Sequence, residues 1–331
     1  MNSKKRILIF GATGDTGIYV TEYFNNFLDE NEYEVIPIGR RKTDYFKRYN
    51  LSYYSVDIEK AEDFDKLPTG NVYAIVHLAA LLPARMKGYE PEKYIFTNIL
   101  GTLNVLEYCK KVNADRILFT KSVSDYYGYL TGNDFFEADM PVKYKYTGDH
   151  TIYAISKCTA VELIEHYHQS FGIKNFIFRL PNIYSYSPEK YYYVNGKRLP
   201  ISYRYMIDRA IAGEPIELWG DPKKGRDVVY VKDFAQILYR ALLTDVEGGI
   251  FNVGSGKLTN MVEQITGIIS VFCDNKQSEI IYCPEKRDCI NYLMDISKTK
   301  EVLGYEPKYN YINYLQDYKK EMESNRFEGF F

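Results

Sequence analysis

Arg6-Ile-Leu-Ile-Phe10 runs directly into Gly11-Ala-Thr-Gly14-Asp-Thr-Gly17. A short apolar run ending in glycines spaced by three predicts a strand, a tight turn and then a helix. Glycine lets such a turn bring bare backbone N–H groups, with Thr13, Asp15 and Thr16 beside them, against an anion at the positive end of the helix. A dinucleotide pyrophosphate is the ligand that suits this geometry. Far downstream, Tyr153-Ala-Ile-Ser-Lys157 sets a phenol and an ammonium four residues apart, on one face of a helix. Bringing a phenol from its ordinary pKa near 10 to roughly 7 takes about 4 kcal/mol of preferential stabilisation of its anion. A neighbouring ammonium and an oxidised nicotinamide are suitable positive charges. Either motif alone is weak, since Tyr-x-x-x-Lys arises easily in a chain with 34 tyrosines. Their order and spacing together point to an oxidoreductase.

Outward from this turn, strand and helix signals alternate, which predicts a parallel sheet covered on both faces. Strands are expected at 6–10, 34–38, 53–56, 72–78, 116–119 and 176–180, with helices after Gly14, over 92–111 and over 153–167. The alternation breaks at Leu180 into a Tyr- and Pro-rich stretch, 181–200, read as loop. Beyond it come a helix at 203–212, a strand near 228–231, a helix at 233–243, a strand at 250–253, and a short helix between Asp295 and Gly304 with Pro307 beyond. The expected fold class is α/β: a Rossmann-type doubly wound parallel sheet over residues 1–182, with a return segment near 228–253. A smaller mixed α/β substrate domain is expected over the rest of 183–331.

The 331 residues are 46% hydrophobic and 26% charged, and the net charge is −2. That balance suits a globular protein and gives no global reason to expect nucleic acid or an anionic membrane as partner. The first apolar run is too short for a signal-peptide core, and no stretch approaches the roughly 18 apolar residues of a membrane span, so a cytoplasmic location is expected. Cys109, Cys158, Cys273, Cys283 and Cys289 are odd in number and lack C-x-x-C spacing. Free thiols and no metal site are expected. The excess of tyrosine favours a compositional origin for clusters such as Tyr191-Tyr-Tyr193 over a functional one.

The chain resembles an extended short-chain dehydrogenase of the nucleotide-sugar epimerase/dehydratase family, and the motifs that carry the resemblance are spread along nearly all of it. They include the glycine turn, Val76-His-Leu-Ala-Ala80, Asn98-Ile-Leu-Gly-Thr-Leu-Asn104, Tyr153 with Lys157, Arg179-Leu-Pro-Asn182-Ile-Tyr184 and Arg226-Asp-Val-Val-Tyr-Val-Lys-Asp233. Phe251-Asn-Val-Gly254-Ser-Gly256, Asp295-Ile-Ser-Lys298 and Leu303-Gly304-Tyr-Glu-Pro307 continue it. The resemblance implies a catalytic set of Tyr153, Lys157 and a hydroxyl residue at the end of the fifth strand. Strand register makes that residue Ser122, with Ser124 as the fallback; counting back from Tyr127-Gly128 would select Val123, which has no hydroxyl. Cofactor contacts are implied at Gly11, Thr13, Gly14, Asp15, Thr16, Gly17, Asp57, Ile58, Leu78, Ala79, Ala80, Asn98 and Pro181. A nucleotide-diphosphate sugar is implied as substrate, with Asn182, Arg226 and Arg287 as diphosphate ligands and Ser122 and Ser124 at the sugar. A homodimer is the candidate assembly. Two departures stand out: Asp15-Thr16 replaces two apolar residues, and Tyr184-Ser-Tyr-Ser-Pro replaces Tyr-Gly-Pro-Gly.

About 20 residues past such a turn a carboxylate reads the ribose of NAD, whereas an arginine suits the 2′-phosphate of NADP. Here the second strand ends in Gly39-Arg40-Arg41 and no carboxylate follows before Asp44. The cofactor is therefore NAD(P), with a lean toward NADP(H) through Arg40 and Arg41; the basic pair could equally be a solvated run with Lys42 that leaves NAD acceptable. Dehydratases of the family carry acids directly after the catalytic hydroxyl residue. Ser122 is followed by Val123 and Ser124, and the other register supplies only Asp125, so dehydration is disfavoured. Three readings remain open: a 4-epimerase working through a transient 4-ketosugar, an NADPH-dependent ketosugar reductase, and a non-catalytic dinucleotide sensor.

Overall fold

In the computed structural model, which describes residues 4–132, 134–194, 196–274, 277–324 and 326–330, seven parallel strands form the central sheet. They are β1 (Lys5–Phe10), β2 (Tyr33–Gly39), β3 (Tyr54–Ser55), β4 (Val72–His77), β5 (Arg116–Ser122), β6 (Lys174–Leu180) and β7 (Gly248–Asn252), in the order β7-β6-β5-β4-β1-β2-β3. Successive side chains of a strand face opposite ways, and the sequence uses this to build two cores. Ile7, Ile9, Val35, Ala74, Val76, Leu118, Phe176 and Phe178 go to one face. Leu8, Phe10, Ile36, Ile38, Ile75, Ile117, Phe119 and Ile177 go to the other. Both sets are apolar because helices cover both faces, which is why these strands read as near-continuous hydrophobic runs.

Helix α1 (Asp15–Phe27) packs through Ile18 and Phe24 on the first face, with Phe234 and Leu238 of a helix at Val231–Leu243. The second face carries α2 (Gly101–Lys111) and α3 (Asp149–Phe171), through Val105, Leu106, Ala160 and Ile164. The expected single helix over 92–111 is a helical turn at Pro91–Tyr94, a π-helical segment at Ile95–Leu100, and then α2. The chain leaves β1 toward β2 and β3, then crosses back to β4. The strand ends between β1 and β4 therefore form the switch-point crevice in which ligands of such sheets bind.

The remaining residues differ most from expectation. The stretch 181–200, read as loop, contains a strand at Ile183–Tyr184 and an antiparallel hairpin, Tyr191–Val194 with Lys197–Pro200. The Asn195-Gly196 dipeptide between the hairpin strands is the turn signal that marks it, although residue 195 lies outside the described residues. A mixed sheet joins Leu258–Asn260, Gly225–Asp227, Tyr292–Met294 and Asp134–Phe136. Its last member lies within the part of the chain expected to belong wholly to the large sheet. Three residues carry too little periodicity to show which sheet they join.

Candidate active site

At the end of β1 the amides of Gly11 and Ala12 both donate to Ile38 O, at 2.9 and 3.0 Å, and Gly14 N donates to Gly11 O at 3.0 Å. Gly11 adopts φ +85°, and a Cβ there would stand 2.6 Å from Ala79 N. A Cβ on Gly17 would strike Gly11 O. The turn is thus held tight against the end of β4, with Leu78, Ala79 and Ala80 partly exposed beside it. Gly14 is the N-cap of α1 and no side chain caps the helix there among the described residues, which fits a pyrophosphate at its first amides. Thr13 lies across Gly39 at the end of β2, where a Cβ would meet its Oγ1 at 2.6 Å. Thr16 is partly exposed on the first turn of α1.

Asp15, expected beside the cofactor, is engaged by the protein. Its carboxylate accepts from Arg85 at 2.5 Å and from Ser187 Oγ at 3.0 Å. Asn98 is likewise occupied: its Oδ1 accepts from Leu81 N at 2.8 Å, and its Nδ2 donates to Leu81 O at 3.2 Å and Ser156 Oγ at 3.0 Å. With its side chain buried and bonded to Leu81 and Ser156, Asn98 positions the loop after β4 against α3. Its neighbours do related work. Gly101 accommodates Ile58, Asn104 Nδ2 donates to Ile58 O at 2.8 Å, and Thr102 Oγ1 contacts His77 Nε2 at 3.1 Å. Ile58 is accordingly buried packing, while Asp57 caps the following turn by accepting from Glu59 N at 3.2 Å.

Tyr153 and Lys157 share the inner face of α3, as their spacing predicts. Tyr153 packs with Met86, Tyr94, Leu81 and Ile152, and the Tyr94 ring centroid is 6.0 Å away. Lys157 Nζ stands 3.8 Å from the Phe119 ring centroid. Burial lowers the Lys157 pKa to about 7, and burial with the Lys157 charge lowers that of His77 to about 3. The expected depression of the Tyr153 phenol by Lys157 is not what the polypeptide alone produces. Burial pushes that phenol up, and Tyr94 and Tyr127 push the same way. The sequence offered no sign of either neighbour among so many tyrosines.

Ser122 ends β5 opposite Leu180 of β6. Its Oγ donates to Ser124 Oγ at 2.9 Å and accepts from Ser124 N at 3.1 Å, so the two hydroxyls form one pair. Ser124 also hydrogen-bonds Tyr127. Asp125 is enclosed: Lys121 Nζ lies 2.7 Å and Arg179 Nε 3.1 Å from its carboxylate, and all three side chains are buried. It is a structural counter-charge.

Arg226, on the strand Gly225–Asp227, is surrounded by Tyr184, Tyr292, Tyr127 and Cys289. No carboxylate pairs with it among the described residues. A largely buried guanidinium in a ring of phenols is a seat for an anion. Pro181 is buried and Asn182 exposed, immediately after β6, whereas Arg287 is exposed. Beyond β2, Arg40 and Arg41 are both exposed, and they differ in their contacts: Arg41 Nη1 donates to Phe330 O at 3.0 Å. Among the described residues no group of three or more His, Cys, Asp or Glu could hold a metal, and no helix is long and apolar enough to cross a membrane.

A glycine turn at the switch point and a Tyr-x-x-x-Lys pair on the helix beside it define an enzyme of the extended short-chain dehydrogenase type. More particularly, the chain belongs to the NAD dependent epimerase/dehydratase family, whose profile matches residues 7–254. A putative UDP-glucose 4-epimerase of Methanocaldococcus jannaschii is 28% identical over 306 residues, 91% of this chain and 93% of that protein. A UDP-glucuronate 4-epimerase of Thermodesulfobacterium geofontis is 27% identical over 83% of this chain and 80% of its own. The crystal structure of a UDP-glucuronic acid 4-epimerase from Bacillus cereus in complex with NAD aligns with a TM-score of 0.73 at 20% identity, covering 96% of this chain and 100% of the other, a likeness of fold. dTDP-glucose 4,6-dehydratases are also among the relatives.

Proposed function

We propose that the protein is a nucleotide-sugar 4-epimerase that uses a nicotinamide dinucleotide. The observation that carries this reading within the family is the enclosure of Asp125 by Lys121 and Arg179 at 2.7 and 3.1 Å. It leaves no free acid after Ser122 to expel a sugar hydroxyl, which disfavours dehydration. The names of the 4-epimerase relatives support the same choice.

When bound, the nicotinamide supplies hydrogen transfer at the sugar carbon, and its positive charge favours the phenolate of Tyr153. Tyr153 removes the proton of the sugar 4-hydroxyl as C4 is oxidised, and returns it once the opposite face has been reduced. Substrate and product are thus isomers and no net redox change remains. The Ser122–Ser124 pair holds the 4-oxygen, and Lys157 binds the nicotinamide ribose. Arg226 grips the diphosphate, with Asn182 at the edge of the same crevice. That grip is built on the small mixed sheet, away from the reacting carbon, so the ketosugar can turn while the diphosphate stays held. Arg287 lacks any comparable enclosure and is left out of the grip. A second copy of the chain covers the exposed Ile95, Phe96 and Leu100 beside α2.

One observation favours a second reading. Arg40 is exposed, and its side chain has no partner among the described residues, which suits a 2′-phosphate and a reductase drawing on NADPH. One experiment separates the two. UDP-, dTDP- and GDP-sugars are supplied with a trace of dinucleotide while C4 configuration is followed by NMR and nicotinamide absorbance is recorded. Catalytic inversion at constant absorbance is expected. Stoichiometric NADPH consumption with a 4-ketosugar, and no inversion of any 4-hydroxy sugar, would transfer the assignment to the reductase.

A further inference from the structure

Residues 326–330 lie against the loop that follows β2. Tyr45 Oη donates to Arg326 O at 2.7 Å, Arg48 donates to Arg326 O at 3.1 Å and to Glu328 O at 2.7 Å, and Arg41 donates to Phe330 O at 3.0 Å. The Arg41 guanidinium also stacks 4.9 Å from the Phe330 ring centroid, and that ring meets Tyr45 edge-on at 4.9 Å. Phe327 and Phe330 are both buried, Phe327 against Tyr186. Arg326 is anchored separately, by Glu22 and Glu321. Chain from the far end of the sequence therefore forms one wall of the region where the adenosine ribose of a dinucleotide is read.

The two arginines behind β2 are thereby made unequal in their contacts. Both are exposed, but the Arg40 side chain has no partner among the described residues. Arg41 has a hydrogen bond, a ring contact and further interactions, the first two directed at Phe330. A ribose 2′-phosphate is doubly charged and gains most from two converging guanidinium forks. With one fork turned to Phe330, only Arg40 is presented to it.

We propose that the segment 326–330 sets the preference between NADP and NAD by holding Arg41 on Phe330. This rests on the reading of the dinucleotide site given above. In the full chain the segment blunts discrimination in favour of the 2′-phosphate. Releasing it frees Arg41 to join Arg40.

The test uses deletion of residues 327–331, which retains Arg326 and its anchors, and the point variant Phe330→Ala, each with and without Arg41→Ala. Binding of NADPH and NADH is titrated by nicotinamide fluorescence, and melting curves establish folding. The ratio of NADPH to NADH affinity is expected to rise about tenfold in the deletion, the effect of one added charge-assisted contact, and to rise less in Phe330→Ala, which removes the ring and its packing on Tyr45 but keeps the backbone carbonyl that accepts from Arg41. Arg41→Ala should abolish that gain, while shifting the ratio of the full chain by less than about twofold. An unchanged ratio in the released variants, with both dinucleotides bound, overturns the proposal, and so does a gain that survives Arg41→Ala. If the deletion does not fold, Phe330→Ala decides by direction: a rise in the ratio that Arg41→Ala abolishes supports the proposal, and an unchanged ratio overturns it. Failure of the full chain to bind either dinucleotide would instead remove the reading of the site.

Discussion

Lys157 sits in an apolar wall with Phe119, and burial lowers its pKa from 10.5 to about 7. The folded value lies below the unfolded one, so between pH 7 and 10.5 the unfolded chain holds a proton that the native protein has released. Stability conferred through this group therefore rises with pH across that window, at up to about 1.4 kcal/mol per pH unit. Urea unfolding of wild type and Lys157→Met at pH 7, 8 and 9 should show the difference, with wild type gaining relative to the variant; parallel pH profiles would contradict it. Tyr153 contributes in the opposite sense only above pH 10, because its folded pKa is raised above the ordinary phenol value. For the reaction, Tyr153→Phe should keep dinucleotide affinity and lose about 10²- to 10⁴-fold in kcat. Wild-type turnover by that variant would remove its assigned role. Arg226→Gln should raise KM for the nucleotide sugar at least about tenfold, since a charge-assisted contact is lost. Because the side chain is largely enclosed and no carboxylate pairs with it among the described residues, thermal stability should hold or increase; an unchanged KM would show that the diphosphate lies elsewhere.

The elements that place these residues differ in how far the sequence disclosed them. The β1 turn and the Tyr153–Lys157 face of α3 were legible because local spacing alone determines them. The π-helical segment Ile95–Leu100 was not, since its residues read as ordinary helix; its purpose emerges only when Asn98 is seen bonded to Leu81 and Ser156. Asn98→Ala should leave the backbone N–H and C=O of Leu81 without those partners and cost about 1–3 kcal/mol in a urea melt, an effect that a solvent-facing asparagine would not show. The Lys121–Asp125–Arg179 cluster was hidden for another reason. Lys121 and Arg179 are opposite each other on β5 and β6, and their separation in sequence conceals that two like charges share one acid. Asp125→Asn should destabilise by about 3–5 kcal/mol, and whatever activity survives should still yield the same product. The strands of the small sheet were missed because three-residue segments paired over long range carry no periodicity of their own.

At the scale of the molecule the sequence located a large parallel sheet and a change of character after Leu180, but not how distant chain converges on the crevice. Arg41 and Phe330 are 289 residues apart, and no local pattern connects them. Phe96, Leu100 and Ile95, exposed in a row beside α2, are the apolar surface that the proposed second copy covers. Phe96→Glu should convert a dimer to a monomer in light scattering, and a wild-type monomer would remove that interface. Inversion at C4, with the hydrogen leaving and returning to the same carbon, is followed with a nucleotide sugar carrying deuterium at C4. A 4-epimerase yields a C4 epimer that retains the label at C4, with none in solvent and none in the dinucleotide pool after many turnovers. Label appearing at C6 with loss of the 6-hydroxyl, or recovered in the pool with net redox change, would contradict it.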